Sequence, residues 1–153
     1  MLVSVELQNL SVSKYRSLRD VELSLGPLNI FIGANATGKS NILDALRFLS
    51  TGVRERSFAS AVRDRGGPLA LAWKGEQATQ VRLTTRFKLG ERTLEWSVSL
   101  ETPGYGWDFT IDEQVTEVLE GAPPAELLRA EEGKGWWWSQ EAGRRVSLSQ
   151  NET

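Results

Sequence analysis

The stretch "GANATGKS", Gly33 to Ser40, has the spacing G-x-x-x-x-G-K-S, which suits a loop that wraps the phosphates of a nucleotide. Gly33 and Gly38 permit backbone conformations and close approach that a side chain would block. The N–H groups of Gly33, Ala34, Asn35, Ala36, Thr37 and Gly38 can then point inward as an anion-binding nest, extended by the N-terminus of a following helix. Lys39 supplies a mobile positive charge for the β- and γ-phosphates, and Ser40 a hydroxyl for Mg²⁺. The expected ligands are ATP and Mg²⁺.

The flanks have the order that such a loop requires. Val3, Val5 and Leu7 alternate with Ser4, Glu6 and Gln8, and Val21, Leu23 and Leu25 alternate with Glu22 and Ser24. Both runs have the period of two of strands with one buried face. Gly26-Pro27 marks a turn, and "LNIFI" (28–32) reads as a short, largely buried strand entering the loop. After the loop, Ile42, Leu43, Ala45, Leu46 and Leu49 recur at helical spacing. A shorter helix is predicted from Ser57, its cap, to Asp64, ended by Gly66-Gly67-Pro68.

From about residue 80 the period returns to two. Val81, Leu83, Phe87 and Leu89 form one run, Leu94, Trp96, Val98 and Leu100 a second, and Tyr105, Trp107, Phe109 and Ile111 a third. This pattern predicts an antiparallel meander with one wet face. "GAPPAE" interrupts it, and a last hairpin is expected around Trp136–Trp138 and Val146–Leu148. The chain thus divides into a P-loop core over 1–75 and an antiparallel β part over 76–153. The fold class is α/β: a strand–P-loop–helix core plus a meander.

At 153 residues, 40% hydrophobic and 25% charged with net charge −2, the composition is that of an ordinary single globular domain. It has no cysteine and no histidine. That removes disulfides, thiol nucleophiles, Ser-His-Asp triads and the usual zinc ligands. The N-terminus lacks the basic and apolar regions of a signal peptide, and Leu28–Ile32 is too short to span a bilayer. A cytoplasmic protein without membrane contact is expected.

Hydrolysis needs an acidic group beside Mg²⁺, normally at the end of a central, wholly apolar strand. The nearest lookalike is "WDFTIDE", ending in Asp112-Glu113. Its alternation is instead that of a half-exposed strand at the edge of the meander. Arg56 and Arg63, seven residues apart, would share a helical face, solvated or facing phosphates. Trp136-Trp137-Trp138 would place two indoles on one face of a strand and one on the other, packed in the sheet or stacking bases.

Residues 14–49, "KYRSLRDVELSLGPLNIFIGANATGKSNILDALRFL", resemble the RecF/SMC-like branch of ABC-type ATPases, including predicted ATPases related to the OLD nucleases. The likeness lies in the "YRS" turn, the "GPLN" entry and "GKSN" leading into the helix, and continues more loosely through "RDRGG" and the meander. Ala36 and Thr37 stand where Gly-Ser is common in that family, a mild change that leaves both essential glycines. The resemblance implies the N-terminal lobe of an ABC/SMC-type head, with Asn35, Gly38, Lys39, Ser40 and Asn41 lining the phosphate site and Arg16 near the nucleotide. It also implies a Q-loop glutamine holding Mg²⁺, with Gln77, Gln80, Gln114, Gln140 and Gln150 as candidates. A second lobe with a signature motif, Walker B and a switch histidine is not found in this sequence. The implied partners are therefore ATP, a second lobe or homodimer partner, and DNA for the complete protein. Two readings stay open beside this ATPase of DNA maintenance or defence: a non-hydrolysing nucleotide- or partner-binding module, and a small P-loop kinase, against which the meander argues.

Overall fold

A computed structural model describes residues 4–73, 79–102, 107–131 and 134–148. Val3, Gln77, Tyr105 and Gln150, all named above, lie outside the described residues. Among the described residues eight strands form one sheet: β1 (Val5–Tyr15), β2 (Leu18–Ser24), β3 (Thr79–Leu89), β4 (Arg92–Thr102), β5 (Thr110–Val118), β6 (Ala125–Glu131), β7 (Lys134–Ser139) and β8 (Arg144–Leu148). Their order is β2-β1-β3-β4-β5-β6-β7-β8, and every neighbouring pair is antiparallel. The two N-terminal strands and the meander thus share one sheet, joined where β1 pairs with β3.

Among the described residues three helices follow the P-loop: α1 (Lys39–Arg54), α2 (Phe58–Arg63) and α3 (Pro68–Leu71). Ser57 caps α2 as its sequence predicts, its side chain accepting from the Ser60 N–H at 3.1 Å. Arg56 is not helical; it lies between α1 and α2 at φ 54°. The Phe58 ring packs onto the backbone of Gly52, where an added Cβ would stand 2.2 Å from a ring carbon. Only glycine lets α2 approach α1 so closely.

The core lies between α1 and one face of the sheet. Ile42, Ala45, Phe48 and Leu49 of α1 pack with Leu10, Val12, Leu83, Val98 and Leu100. A chain of tilted rings, Tyr15–Phe48–Phe58–Trp96, crosses it with centroids 6.1, 5.5 and 6.1 Å apart. The register continues this face as Thr85, Trp96, Val115, Leu128, Trp137 and Val146, opposite one another from β3 to β8. Towards β8 its cover thins: Val115 and Leu128 are half-buried and Trp137 is exposed. Trp136 and Trp138 occupy the other face, where the Arg145 guanidinium lies 3.9 Å from the centre of the Trp136 ring.

Three expectations are corrected. Residues 28–32 form no strand. Leu28, Ile30 and Ile32 are 80, 75 and 91% exposed, and no strand among the described residues pairs with them. An apolar run becomes a buried strand only where neighbours supply backbone partners and a cover. The third strand begins at Thr110 rather than Tyr105, and Trp107 stands before it in a turn. Finally, β5 is no edge strand; it pairs with β4 on one side and β6 on the other. Strand β6 was missed because "GAPPAE" masks its start, and its apolar residues Leu127-Leu128 are adjacent rather than alternating at a register shift.

Candidate nucleotide site

The P-loop closes around its own lysine. Lys39 Nζ donates to the carbonyl oxygens of Gly33 at 2.8 Å and Ala34 at 2.5 Å, and lies 3.2 Å from Thr37 Oγ1. The Thr37 hydroxyl in turn donates to the Ala34 carbonyl at 3.0 Å. The ammonium therefore sits inside the curl of the loop. Asn41 and Ile42 N–H groups donate to the Gly38 carbonyl, whereas those of Gly33 through Ser40 make no backbone hydrogen bond to a described residue. A ring of unused donors around a cation and a helix N-terminus is the donor set that a polyphosphate requires. Ser40 is exposed on the first turn of α1 and would be the hydroxyl that holds Mg²⁺. The residues present fit ATP with Mg²⁺; among the described residues no cluster of three carboxylates or other metal-binding side chains offers a separate metal site.

Backbone geometry explains which loop residues are constrained. Gly38 has φ 94°, a conformation that side chains strain. An added Cβ there would stand 2.9 Å from Leu18 Cδ2. Ala36 also has positive φ, at 65°. Its substitution for glycine is therefore not conformationally neutral, since alanine in the left-handed region costs about 1–2 kcal/mol.

The β1–β2 turn buttresses the loop. Ser17 Oγ accepts from Asn41 Nδ2 at 2.6 Å, so Asn41 is turned to the protein rather than left free for a ligand. Arg16 has φ 53°, and its N–H donates to the Leu71 carbonyl at 2.7 Å. Its Nε lies 3.1 Å from Asp44 Oδ2. The turn thus brings Arg16 beside the first turns of α1. Sequence patterns assigned no role to Asp44, and Tyr15 and Arg65 entered only as members of the "YRS" and "RDRGG" segments. Asp44 stands four residues after Ser40, one turn along the same helix, and that spacing was the available signal.

The remaining sequence candidates lie elsewhere. Glu113 lines a cleft of about 700 Å³ with Gly52, Val53, Arg56, Arg63 and Trp107. Gly52 and Val53 close α1, whose 16 residues separate its ends by about 24 Å. Glu113 is thus at the end of α1 opposite the P-loop. It accepts from Trp96 Nε1 at 2.8 Å, and burial raises its pKa against that bond. This environment is no Walker B. Arg56 and Arg63 do line one cleft, although no helix joins them. Gln80 lies at the sheet end nearest the β1–β2 turn, its amide bonded to Glu101. Gln114 donates to Glu126 at 2.8 Å in mid-sheet, and Gln140 follows β7 in its turn.

A family model described as an AAA ATPase domain matches residues 1–114. The chain is 41% identical over 142 residues to the DNA replication and repair protein RecF of Acinetobacter baumannii (strain SDF), covering 81% of this chain and 36% of that protein. It is 41% identical over 69 residues to RecF of Magnetococcus marinus, covering 42% and 17%. With RecF of Paenarthrobacter aurescens the identity is 34% over 83 residues, covering 50% and 21%. The chain therefore spans little more than a third of these relatives at most. No solved structure matches.

Proposed function

This chain belongs to the AAA ATPase domain family, in the RecF/SMC-like branch of ABC-type P-loop ATPases, and we propose that it is the ATP-binding lobe of a RecF-like ATPase of DNA replication and repair, acting in the cytoplasm. The observation that carries the reading is the P-loop, with Lys39 drawn onto the Gly33 and Ala34 carbonyls and the loop N–H groups unused. Lys39 would exchange those carbonyls for the phosphates of a bound ATP, and Ser40 would hold Mg²⁺. Arg16 adds a second cation from the β1–β2 turn. Bound Mg²⁺ supplies charge neutralisation at the β- and γ-phosphates.

Hydrolysis in this reading requires a second lobe, contributed by a further stretch of chain or a partner. Exposed Leu28, Ile30 and Ile32 support it, since they alternate along the segment that leads directly into the loop. Neighbouring strands from a second lobe would bury them. DNA is the proposed partner of the complete assembly. No helix among the described residues is long and apolar enough to cross a membrane.

Thermal shift with Mg·ATP tests the binding step. Ligand at 100 times its Kd stabilises the folded state by about 2.7 kcal/mol. The shift is expected in the wild type and lost in Lys39→Ala, while steady-state ATP turnover by the chain alone is negligible. No shift with millimolar nucleotide, or equal shifts in both proteins, refutes the site. Turnover abolished by Glu113→Ala would instead restore Glu113 as a catalytic group.

A further inference from the structure

Behind the P-loop lies an ion cluster that the loop motif itself does not contain. Asp44 receives the Tyr15 hydroxyl at 2.5 Å, the Arg16 guanidinium at 3.1 Å and the Arg65 guanidinium at 3.5 Å. These groups come from the end of β1, the β1–β2 turn and the segment between α2 and α3. One carboxylate thus ties three pieces of chain to α1 and faces two positive charges. The Nε atoms of both arginines are buried without an aligned hydrogen bond, so the carboxylate's charge is what balances them there.

The two arginines are not equivalent. Arg65 is committed to the fold: its side chain is 13% exposed, Nη1 donates to the Ala61 carbonyl at 3.1 Å, and the guanidinium lies 5.4 Å from the Phe48 ring centre. The Arg16 side chain is 31% exposed; its guanidinium lies 5.8 Å from the Tyr15 ring centre, but only its Nε faces Asp44, and no carbonyl among the described residues holds it as Ala61 holds Arg65. Arg16 is also followed by Ser17 and Leu18, which touch Asn41 and Gly38. The cation with donors to spare is therefore the one next to the P-loop.

We infer that Asp44 is a positioning residue of the nucleotide site, holding Arg16 so that its terminal guanidinium nitrogens reach a phosphate oxygen of a nucleotide on the P-loop. This rests on the P-loop binding nucleotide, as proposed above. Arg65 anchors the carboxylate from behind, and the Tyr15 hydroxyl fixes its rotamer from the buried side. With the charge at Asp44 removed, the two guanidiniums repel each other. Arg16, on a turn already at φ 53°, then leaves for solvent.

The test is a titration of the whole chain with a fluorescent ATP analogue, using wild type, Asp44→Asn, Arg16→Ala, the double variant and Lys39→Ala. Asp44→Asn and Arg16→Ala are each expected to weaken binding about tenfold. The double variant should be no weaker than Arg16→Ala within about twofold, because Asp44 acts through Arg16. Wild-type affinity in Asp44→Asn, or losses that multiply in the double variant, overturns the inference. If wild type binds nothing, or Lys39→Ala binds as well, the nucleotide reading itself fails and this inference with it.

A second readout needs no nucleotide. In a Tyr105→Phe background Tyr15 is the remaining tyrosine. Burial first, then the hydrogen bond to Asp44 and its charge, hold the Tyr15 pKa well above the ordinary phenol value. Asp44→Asn should let the phenol ionise at lower pH, seen by ultraviolet difference absorbance below the onset of alkaline unfolding; an unchanged titration there shows that the Tyr15–Asp44 contact is not formed and overturns the cluster on which the inference rests. If the asparagine variant does not fold, Asp44→Glu keeps the charge and replaces it in the double-variant cycle, where multiplying losses again refute the role.

Discussion

Exchanging the two small residues at positive φ in the P-loop should move stability in opposite directions. In Gly38→Ala a Cβ is forced onto a backbone at φ 94° and to within 2.9 Å of Leu18 Cδ2. The left-handed conformation costs an alanine about 1–2 kcal/mol. The Leu18 methyl is the end of a flexible side chain and yields by a small shift, but Leu18 is only 4% exposed and has little room. Against this, losing a glycine from the unfolded chain returns about 0.4–1 kcal/mol. The net expectation is a destabilisation of about 1–2 kcal/mol. Ala36→Gly reverses the argument: at φ 65° the strain is relieved, the unfolded chain gains entropy, and the variant should be more stable by about 0–1 kcal/mol. Urea unfolding followed by tryptophan fluorescence measures both, and the same samples can be titrated with Mg·ATP. Gly38→Ala should also lose nucleotide, because the loop N–H groups no longer converge, whereas Ala36→Gly should keep it. A Gly38→Ala protein as stable as wild type, or an Ala36→Gly protein weakened by more than about 1 kcal/mol, would mean that the loop is not held in this conformation.

Two further outcomes can be checked. The raised pKa of Glu113, caused by burial, means that the folded state holds a proton longer than the unfolded one. Stability is thus lost as pH rises from the unfolded carboxylate value through the folded one. Glu113→Gln, which can still accept from Trp96, should gain stability relative to wild type at pH 7 but not at pH 4, and a pH-independent difference would sink this account. Leu28→Ser, Ile30→Ser and Ile32→Ser together should leave the unfolding midpoint nearly unchanged, within about 0.5 kcal/mol per site, while reducing self-association in sedimentation. By contrast, Leu10→Ala in the core should cost about 2–5 kcal/mol, and a triple serine variant as damaging as that would show these residues to be buried.

The sequence by itself determined the features that depend on near neighbours. G-x-x-x-x-G-K-S states which backbone can curl and where the ammonium is. Helical spacing after Ser40, the Ser57 cap and the alternation from Val81 to Leu100 specify α1, α2 and the β3–β4 hairpin, because pitch, pleat and caps act over a few residues. Tertiary structure decided whatever needs a partner from far along the chain. The apolar pattern of Leu28–Ile32 looks like a buried strand in either setting; Phe31 reaches the core, and only the absence of neighbouring strands among the described residues leaves Leu28, Ile30 and Ile32 bare. Asp112-Glu113 resembles a catalytic strand end until the register sets it in mid-sheet, far along α1 from the P-loop. The Asp44 cluster gathers residues from positions 15, 16, 44 and 65, and no local pattern could join them. A carboxylate on a helix reads as a solvated charge until the fold brings two arginines and a buried phenol against it.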